Sequence, residues 1–528
     1  MPDAASLTTA TCRRKRWLLL FTVLLGSALL RLYIANLATF PGHADHAFYF
    51  TVAKNVVAGH GFSIDYIWNY LSHPTNLTHA SHDYWMPLPS AVMAAFLWLP
   101  GTPLFNALLP SILAGLGICL LTYKLAWQYS KSFTVALTAM TVTAMLPQLF
   151  IASVLTDTAI YYAALVMLGL YLLANASSNQ NNIIYAACCA GLAHMTRQDG
   201  LLLMLPIMLT IAYQPHSHAQ RARLMLSAGI AYLLALSPLL LLNLHAYGTA
   251  LPSWASKTAF ATHFEDIYSA TKAINLTSYM AWGWHNILAS KIDAALSNMR
   301  TVIWLLGWPL LITCGLGMTS LAWHRTRHQL ATTLPALIYF FLLALFYTLI
   351  ATLPSMQGGF MRSALSVMPI LIIIATELMH RMLPKPVFLA VALGFITVTG
   401  LNAMMQAREK ISENNSIGHE QQLIGEYLKA HAMVGSKNEI VVMTRNPWEL
   451  HEATGLRTLQ IPNDDLPSIL AVARQFHATH LVLPAPRPSL DSYYLSNASD
   501  QSLQFLGQLE GTALKLFTFS LPPKRPTD

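Results

Sequence analysis

Charge is what this sequence has least of. Only 10% of its 528 residues are Asp, Glu, Lys or Arg, against about 25% in soluble globular domains. A shortage that deep excludes a disordered chain, a coiled coil and an ordinary cytosolic enzyme. Cysteine is scarce as well. Cys12, Cys119, Cys188, Cys189 and Cys314 lie in or beside apolar stretches and share no zinc or disulfide spacing. They read as small apolar side chains, and no redox compartment follows from them. No internal repeat of fixed period is visible. Acidic residues are outnumbered 23 to 31, for a net charge of +8. On a soluble chain that would suggest nucleic acid. Here it matches the Lys and Arg that membrane proteins keep in cytoplasmic loops, and no nucleic-acid partner is expected.

Apolar residues are abundant, at 55%. The first apolar stretch, 17–39, follows the basic run Arg13, Arg14, Lys15 and Arg16. It is long enough to cross a bilayer and has no clean small-residue cleavage site, so it reads as an uncleaved span with the N-terminus in the cytoplasm. Residues 40–85 are polar, aromatic and rich in His. The apolar piece 86–100 is only about 22 Å long as a helix, short of a ~30 Å hydrocarbon core, and is expected at the outer interface. Further spans are expected near 103–124, 132–153, 158–175, 182–196, 200–213, 224–245, 301–323, 330–353, 363–382 and 387–405, about eleven in all. Two of them, 182–196 and 200–213, are short and flank Thr196-Arg197-Gln198-Asp199-Gly200. That predicts a broken hairpin lining a cavity, because irregular backbone at membrane depth needs protein or water around it.

Loop charges agree with this topology. Every second connection is short and basic, holding Lys124 and Lys131, Arg221 and Arg223, Arg325 and Arg327, then Arg381 and Lys385. The longer loops 40–102, 246–300 and 354–362 would face outward, and so would the C-terminus. Residues 1–405 thus form the membrane part. From 406 to 528 the apolar runs shrink to strand length at 439–443, 480–484 and 514–519, with a helix-like stretch at 465–476. Strands alternating with helices predict a soluble α/β domain, and the tail from residue 521 reads as a frayed end. The fold class is a mostly α polytopic membrane protein with a C-terminal soluble α/β domain outside.

Several polar groups stand out at the outer face. Asp45 lies in Gly42-His43-Ala44-Asp45-His46, and Asp157 in Leu155-Thr156-Asp157-Thr158. An acidic residue at membrane level is a functional candidate by default, although Asp157 also fits a helix N-cap. His79-Ala80-Ser81-His82-Asp83-Tyr84-Trp85-Met86-Pro87 follows later in the first loop. His43, His46, His79 and His82 are weak candidates for a metal, since imidazole with carboxylate suits zinc. No pair has the i, i+4 spacing of a helical zinc site, so a divalent metal is left open. Arg197, Lys257 and Arg362 are outward-facing cations. Arg matches phosphate geometry with two parallel donors, which points to a phosphate headgroup; the plainer alternative is a snorkelling or ion-paired side chain, for instance Arg197 with Asp199, and it is the favoured reading for Lys257.

This order of pieces resembles the GT-C superfamily of polytopic membrane glycosyltransferases, near the bacterial members related to protein mannosyltransferases and aminoarabinose transferases. The resemblance is carried by the Arg-rich start, Asp45, Trp85-Met86-Pro87-Leu88-Pro89, Thr156-Asp157-Thr158, Met195-Thr196-Arg197, Tyr247-Gly248 and Arg362 near Pro369. Asn446-Pro447-Trp448 and Thr454-Gly455-Leu456-Arg457 are similar to the soluble domain of many bacterial members. The resemblance implies a polyprenyl-phosphate sugar donor and a hydroxyl acceptor (lipid, glycan or protein) at the outer face of a bacterial inner membrane. It implies Asp45 as general base with Asp157 in support; His46, Asp83, Tyr84, Arg197, Lys257 and Arg362 are the expected substrate-binding residues. His46 stands where relatives often carry a second acid, and Trp85-Met86-Pro87 replaces charged residues some relatives have before that proline. The competing reading is a multi-span transporter of a lipid-linked or small anionic substrate, since broken hairpins and buried charges occur there too.

Overall fold

The computed structural model describes residues 4–323, 327–431 and 440–520. Arg325 and the tail from 521, both used in the sequence argument, lie outside the described residues. The chain is an integral membrane protein built mainly of helices. Six described helical segments are long and apolar enough to cross a bilayer: Arg14–Ala35, Pro103–Ser130, His218–Tyr247, Trp284–Ser320, Gln329–Leu349 and Lys385–Ala430. Shorter apolar helices fill the other expected positions, among them Phe133–Ala144, Ala159–Ala174 and Gln198–Tyr213.

Two departures from the hydropathy pattern, and one feature it anticipated, matter for the site. The expected span 132–153 is two helices, Phe133–Ala144 and Pro147–Ala152. Pro147 has no N–H and forces Leu146 out of the helical region, to φ −65, ψ 119. The loop 246–300 is loop only in its first half. It makes two 3₁₀ turns, Ala255–Phe260 and Phe264–Tyr268, and helix Trp284–Trp323 then begins well before residue 301. Lys291, Asp293 and Arg300 had depressed the apolar signal there, while Ile287, Ala294 and Asn298 form its buried stripe. That helix breaks at Gly307, which takes φ 70 ahead of Pro309. The expected broken hairpin is present. Helix Asn181–His194 ends, Arg197 is extended, and a 3₁₀ turn Gln198–Leu203 leads into Met204–Tyr213. Gly200 makes the turn fit, since a Cβ there would come within 2.3 Å of the His194 backbone.

The break at 145–146 is held by a charge inside the first span. Arg31 is 1% exposed. Its Nε donates to Ser153 Oγ at 2.7 Å, Nη2 to the Ala144 carbonyl at 2.9 Å, and Nη1 to Ser27. Its guanidinium also lies over the Phe150 ring, 4.6 Å from the centroid. A carbonyl released by the helix break thus finds a donor, which the apolar setting demands. Arg31→Ala is expected to cost about 3 kcal/mol, because hydrogen bonds to a charged donor are lost and buried acceptors are stranded. Thermal unfolding in nanodiscs reads this, and wild-type stability in the variant would refute it.

The C-terminal region carries a six-stranded sheet in the order Tyr66–Ile67, Arg457–Gln460, Val441–Thr444, His480–Leu483, Lys515–Phe519, Leu503–Gln508. The first four strands are parallel, and Lys515–Phe519 runs antiparallel to its neighbours on both sides, His480–Leu483 and Leu503–Gln508. Three strands and helix Leu466–Gln475 stand where the sequence placed them, the helix capped by Asp465 accepting from Ser468 N–H at 3.1 Å. The edge strand Tyr66–Ile67 was not expected. It comes from the first outer loop and pairs with Thr458 and Leu459. Helix Lys385–His431 runs unbroken from its apolar half into this region.

Candidate active site

Most of the polar groups singled out in the outer loops and at the break converge on one cavity of about 1540 Å³. Asp45 opens helix Asp45–Val57, which is buried over most of its length. Asp157 sits in the turn between Pro147–Ala152 and Ala159–Ala174. Arg362 and Ser363 lie on the short helix Gly359–Ala364, which starts after Gly358 at φ 85. The Arg362 guanidinium bridges both carboxylates: Nη2 is 3.0 Å from Asp45 Oδ2 and Nε is 3.2 Å from Asp157 Oδ2. Asp45 is the more open of the two, with its side chain 17% exposed against 9%. His46 Nε2 lies 3.8 Å from the same Asp157 oxygen. Thr156 Oγ1 donates to the His46 carbonyl at 2.9 Å, which locks the Asp157 turn onto the Asp45 helix. Asp157 does not cap the following helix. Its Oδ1 accepts from the N–H and hydroxyl of Thr158.

Burial pushes the Asp157 carboxyl up, but Arg362 and His46 outweigh it and hold Asp157 below the usual carboxylate range. Its contribution to folding is therefore complete above about pH 4 and lost as pH falls through the folded value.

A second guanidinium lies beside the first pair. Arg197 Nε is 3.3 Å from Asp199 Oδ1, so the plainer pairing is present. Arg197 also donates to Ser363 Oγ at 3.1 Å, Tyr347 OH at 2.8 Å and the Gly359 carbonyl at 3.2 Å. Tyr347 and Ser363 hydroxyls in turn donate to Asp199 Oδ2. The broken hairpin is thereby bonded to the helix that presents Arg362. Two guanidiniums face three carboxylates, all on the cavity wall.

Other expected residues are placed as follows. Asp83 and Tyr84 line the cavity. Asp83 is 5% exposed, accepts from Ser72 Oγ at 2.8 Å, and is pushed up by burial. Tyr84 stands edge-on to Trp68, with centroids 5.0 Å apart, and Trp68 stacks on Trp85 at 4.1 Å. Lys257 is not on the cavity wall; its Nζ donates to the Leu71 carbonyl at 3.0 Å. The four candidate metal histidines are not gathered. His43 bonds Glu449, His46 faces Asp157, His79 Nδ1 is 2.9 Å from the Leu77 carbonyl, and His82 packs on Tyr247. Among the described residues no group of three His, Cys, Asp or Glu is arranged to hold a metal ion.

Sequence reasoning missed Tyr347, on the cavity wall, and Ser363, which bonds Arg197 beside it; Trp448, also on the wall, had been read only as part of a motif of the C-terminal region. Tyr347 was submerged in an apolar span, where a lone hydroxyl gives little signal. Ser363 had one, its place next to Arg362.

The His43 imidazole is raised from its ordinary value, first by its hydrogen bond to Glu449 and then by the charge of that residue and of Asp45, against burial and Lys410. The sign follows from linkage: this contribution is full below about pH 6.5 and is lost as pH rises through the folded value. The stability gap between wild type and His43→Gln should therefore narrow from pH 6 to pH 9 in thermal melts. A gap that widens with pH would contradict the pairing.

The family model for dolichyl-phosphate-mannose-protein mannosyltransferase matches residues 78–242. No curated protein sequence matches. Among solved structures, ArnT from Cupriavidus metallidurans bound to undecaprenyl phosphate superposes with a TM-score of 0.63 at 11% identity, covering 96% of this chain and 99% of that one. Its apo state gives 0.60 with the same coverage. The apo oligosaccharyltransferase of Archaeoglobus fulgidus gives 0.56 at 12% identity, covering 90% of this chain and 70% of that one. The chain thus shares its fold with ArnT and the archaeal oligosaccharyltransferase, the architecture that the order of motifs had implied.

Proposed function

We propose that this chain is an inverting glycosyltransferase. It moves a sugar from a polyprenyl-phosphate-linked donor to a hydroxyl of a lipid, glycan or protein acceptor at the outer face of the membrane. The observation that carries the reading is the Asp45–Arg362–Asp157 bridge on the wall of a single large cavity. The likeness to a structure holding undecaprenyl phosphate supports the donor class. The N-terminus would then be cytoplasmic and the C-terminal region outside.

In the proposed reaction the acceptor oxygen attacks the anomeric carbon, the bond to the donor phosphate breaks, and Asp45 takes the hydroxyl proton. One displacement inverts the anomeric centre. The shared guanidinium links the two ends of this step. Before reaction, Arg362 is balanced by Asp45 and Asp157. Once Asp45 is protonated, half of that balance is gone, and Arg362 is free to stabilise the phosphate as its charge grows. Such stabilisation is strongest in a site of low dielectric. Asp157 keeps Arg362 in place throughout, and Arg197 supplies a second cation. Asp83, Tyr84 and His46 would contact the substrates, and a divalent metal is not part of the proposed step.

The test is sugar transfer by purified protein in lipid nanodiscs, using a panel of labelled polyprenyl-phosphate sugars and an envelope acceptor extract, with Asp45→Asn beside wild type. Transfer by wild type alone supports the reading. Equal transfer by both moves the base elsewhere.

A further inference from the structure

The sequence places Asp45 at the start of a helix, and the structure shows what sets that start. The chain from 37 to 44 is gripped by residues more than 370 positions away. Asn415 Oδ1 accepts the Thr39 and Phe40 N–H groups at 2.8 and 3.3 Å, and its Nδ2 donates to the Leu37 carbonyl at 2.9 Å. Asn414 Nδ2 donates to the Pro41 carbonyl at 3.3 Å. Gly42, at φ 121, lies so close that a Cβ would meet the Asn414 side chain at 2.5 Å. Ala44, immediately before Asp45, has φ 40, a strained value for a residue with a Cβ. Its N–H donates to Glu449 Oε1 at 3.2 Å, and the same oxygen takes His43 Nδ1.

Glu449 is an odd choice for packing. It is 0% exposed, and its Oε2 has no partner among the described residues. A buried carboxylate is a poor glue compared with an apolar side chain of like size. Docking of helix Pro447–Thr454 onto helix Asp45–Val57 is already served one turn along, where Glu452 takes Lys54 Nζ at 2.5 Å and the Thr51 hydroxyl. Glu449 does something different: it accepts the N–H of the strained residue that aims Asp45 at Arg362.

We infer that Glu449, supported by Asn414 and Asn415, is a positioning residue for Asp45, so that the C-terminal region completes the catalytic geometry of the membrane part. The inference rests on Asp45 being the base. Released from Glu449, Ala44 relaxes to an ordinary backbone conformation and the first turn of the helix rotates the Asp45 carboxylate away from its bridge.

The experiment uses full-length protein in nanodiscs, with Glu449→Ala, Glu449→Gln and, as a docking control, Glu452→Ala. Hydrogen–deuterium exchange over residues 41–50 is read first and needs no donor. Glu449→Ala should exchange the Ala44 amide about tenfold faster, as local opening becomes cheaper, while Glu452→Ala leaves it unchanged. In transfer assays Glu449→Ala should lower kcat about 100-fold, the scale of a 1 Å misplacement, with donor KM within about twofold. Glu449→Gln keeps an acceptor oxygen for Ala44 and should recover most of that loss. Unchanged exchange at Ala44, or equal kcat losses in Glu449→Ala and Glu452→Ala, would overturn the inference. Asp45→Asn, run in parallel, separates the two ideas. If it transfers like wild type, the base assignment has failed. If it is dead while Glu449→Ala is normal, only the positioning has failed.

Discussion

Asp45→Asn is expected to cut kcat by two to four orders of magnitude, the usual contribution of a positioned general base. The amide can still accept a hydrogen bond from Arg362 Nη2, so the 3.0 Å contact has a partner and the fold should persist. What disappears is the site for the acceptor proton. Donor KM should change little, since binding needs no proton transfer; a loss confined to KM would assign Asp45 to substrate capture instead. Asp45→Glu tests geometry in the same assay. It keeps the chemistry but moves the carboxylate by one methylene, and should be intermediate.

Arg362→Gln is the second large effect, expected at about 10²–10³ in kcat, the size seen when one oxyanion-stabilising donor is removed. Arg362 carries more than one task, because Nη2 holds Asp45 and Nε holds Asp157. Arg362→Lys should therefore rescue little: one ammonium offers no rigid fork to span two carboxylates. The pH dependence provides a separate readout. In wild type, Arg362 and His46 override the burial of Asp157 and keep its carboxyl low. Without the guanidinium, burial is opposed by less, and the Asp157 carboxyl rises. Loss of stability on acidification should begin at higher pH in Arg362→Gln than in wild type. Coincident acid-unfolding midpoints would show that Arg362 does not govern Asp157.

Most of the charged residues that gather at the candidate site were legible, for a physical reason. Charge is so rare in this chain that Asp45, Asp157, Arg197, Asp199 and Arg362 each stood out against apolar surroundings. Lys257 stood out for the same reason, yet it serves a loop carbonyl and lies off the cavity wall. Rarity marks a charge as having a partner, and the partner can be a backbone group as easily as a substrate. Arg31 shows the converse: it was absorbed into the first apolar stretch, and its role exists only because Pro147 breaks a helix far along the chain.

By itself, then, the sequence determined the solvent of the chain, the positions of most of its apolar helices, the broken hairpin at Thr196–Gly200 and the α/β character of the C-terminal region. Those are local properties: hydropathy, proline and glycine placement, and the period of apolar residues act over a turn or two. Only the tertiary structure decided which charges meet. The two carboxylates that share Arg362 are separated from it by 317 and 205 residues along the chain, taken as 362 minus 45 and 362 minus 157. The edge strand Tyr66–Ile67 and the grip of Asn414, Asn415 and Glu449 on residues 37–44 are likewise invisible locally. Two-residue strands and single side chains bonding to backbone have no periodicity, so nothing but the packed fold could reveal them.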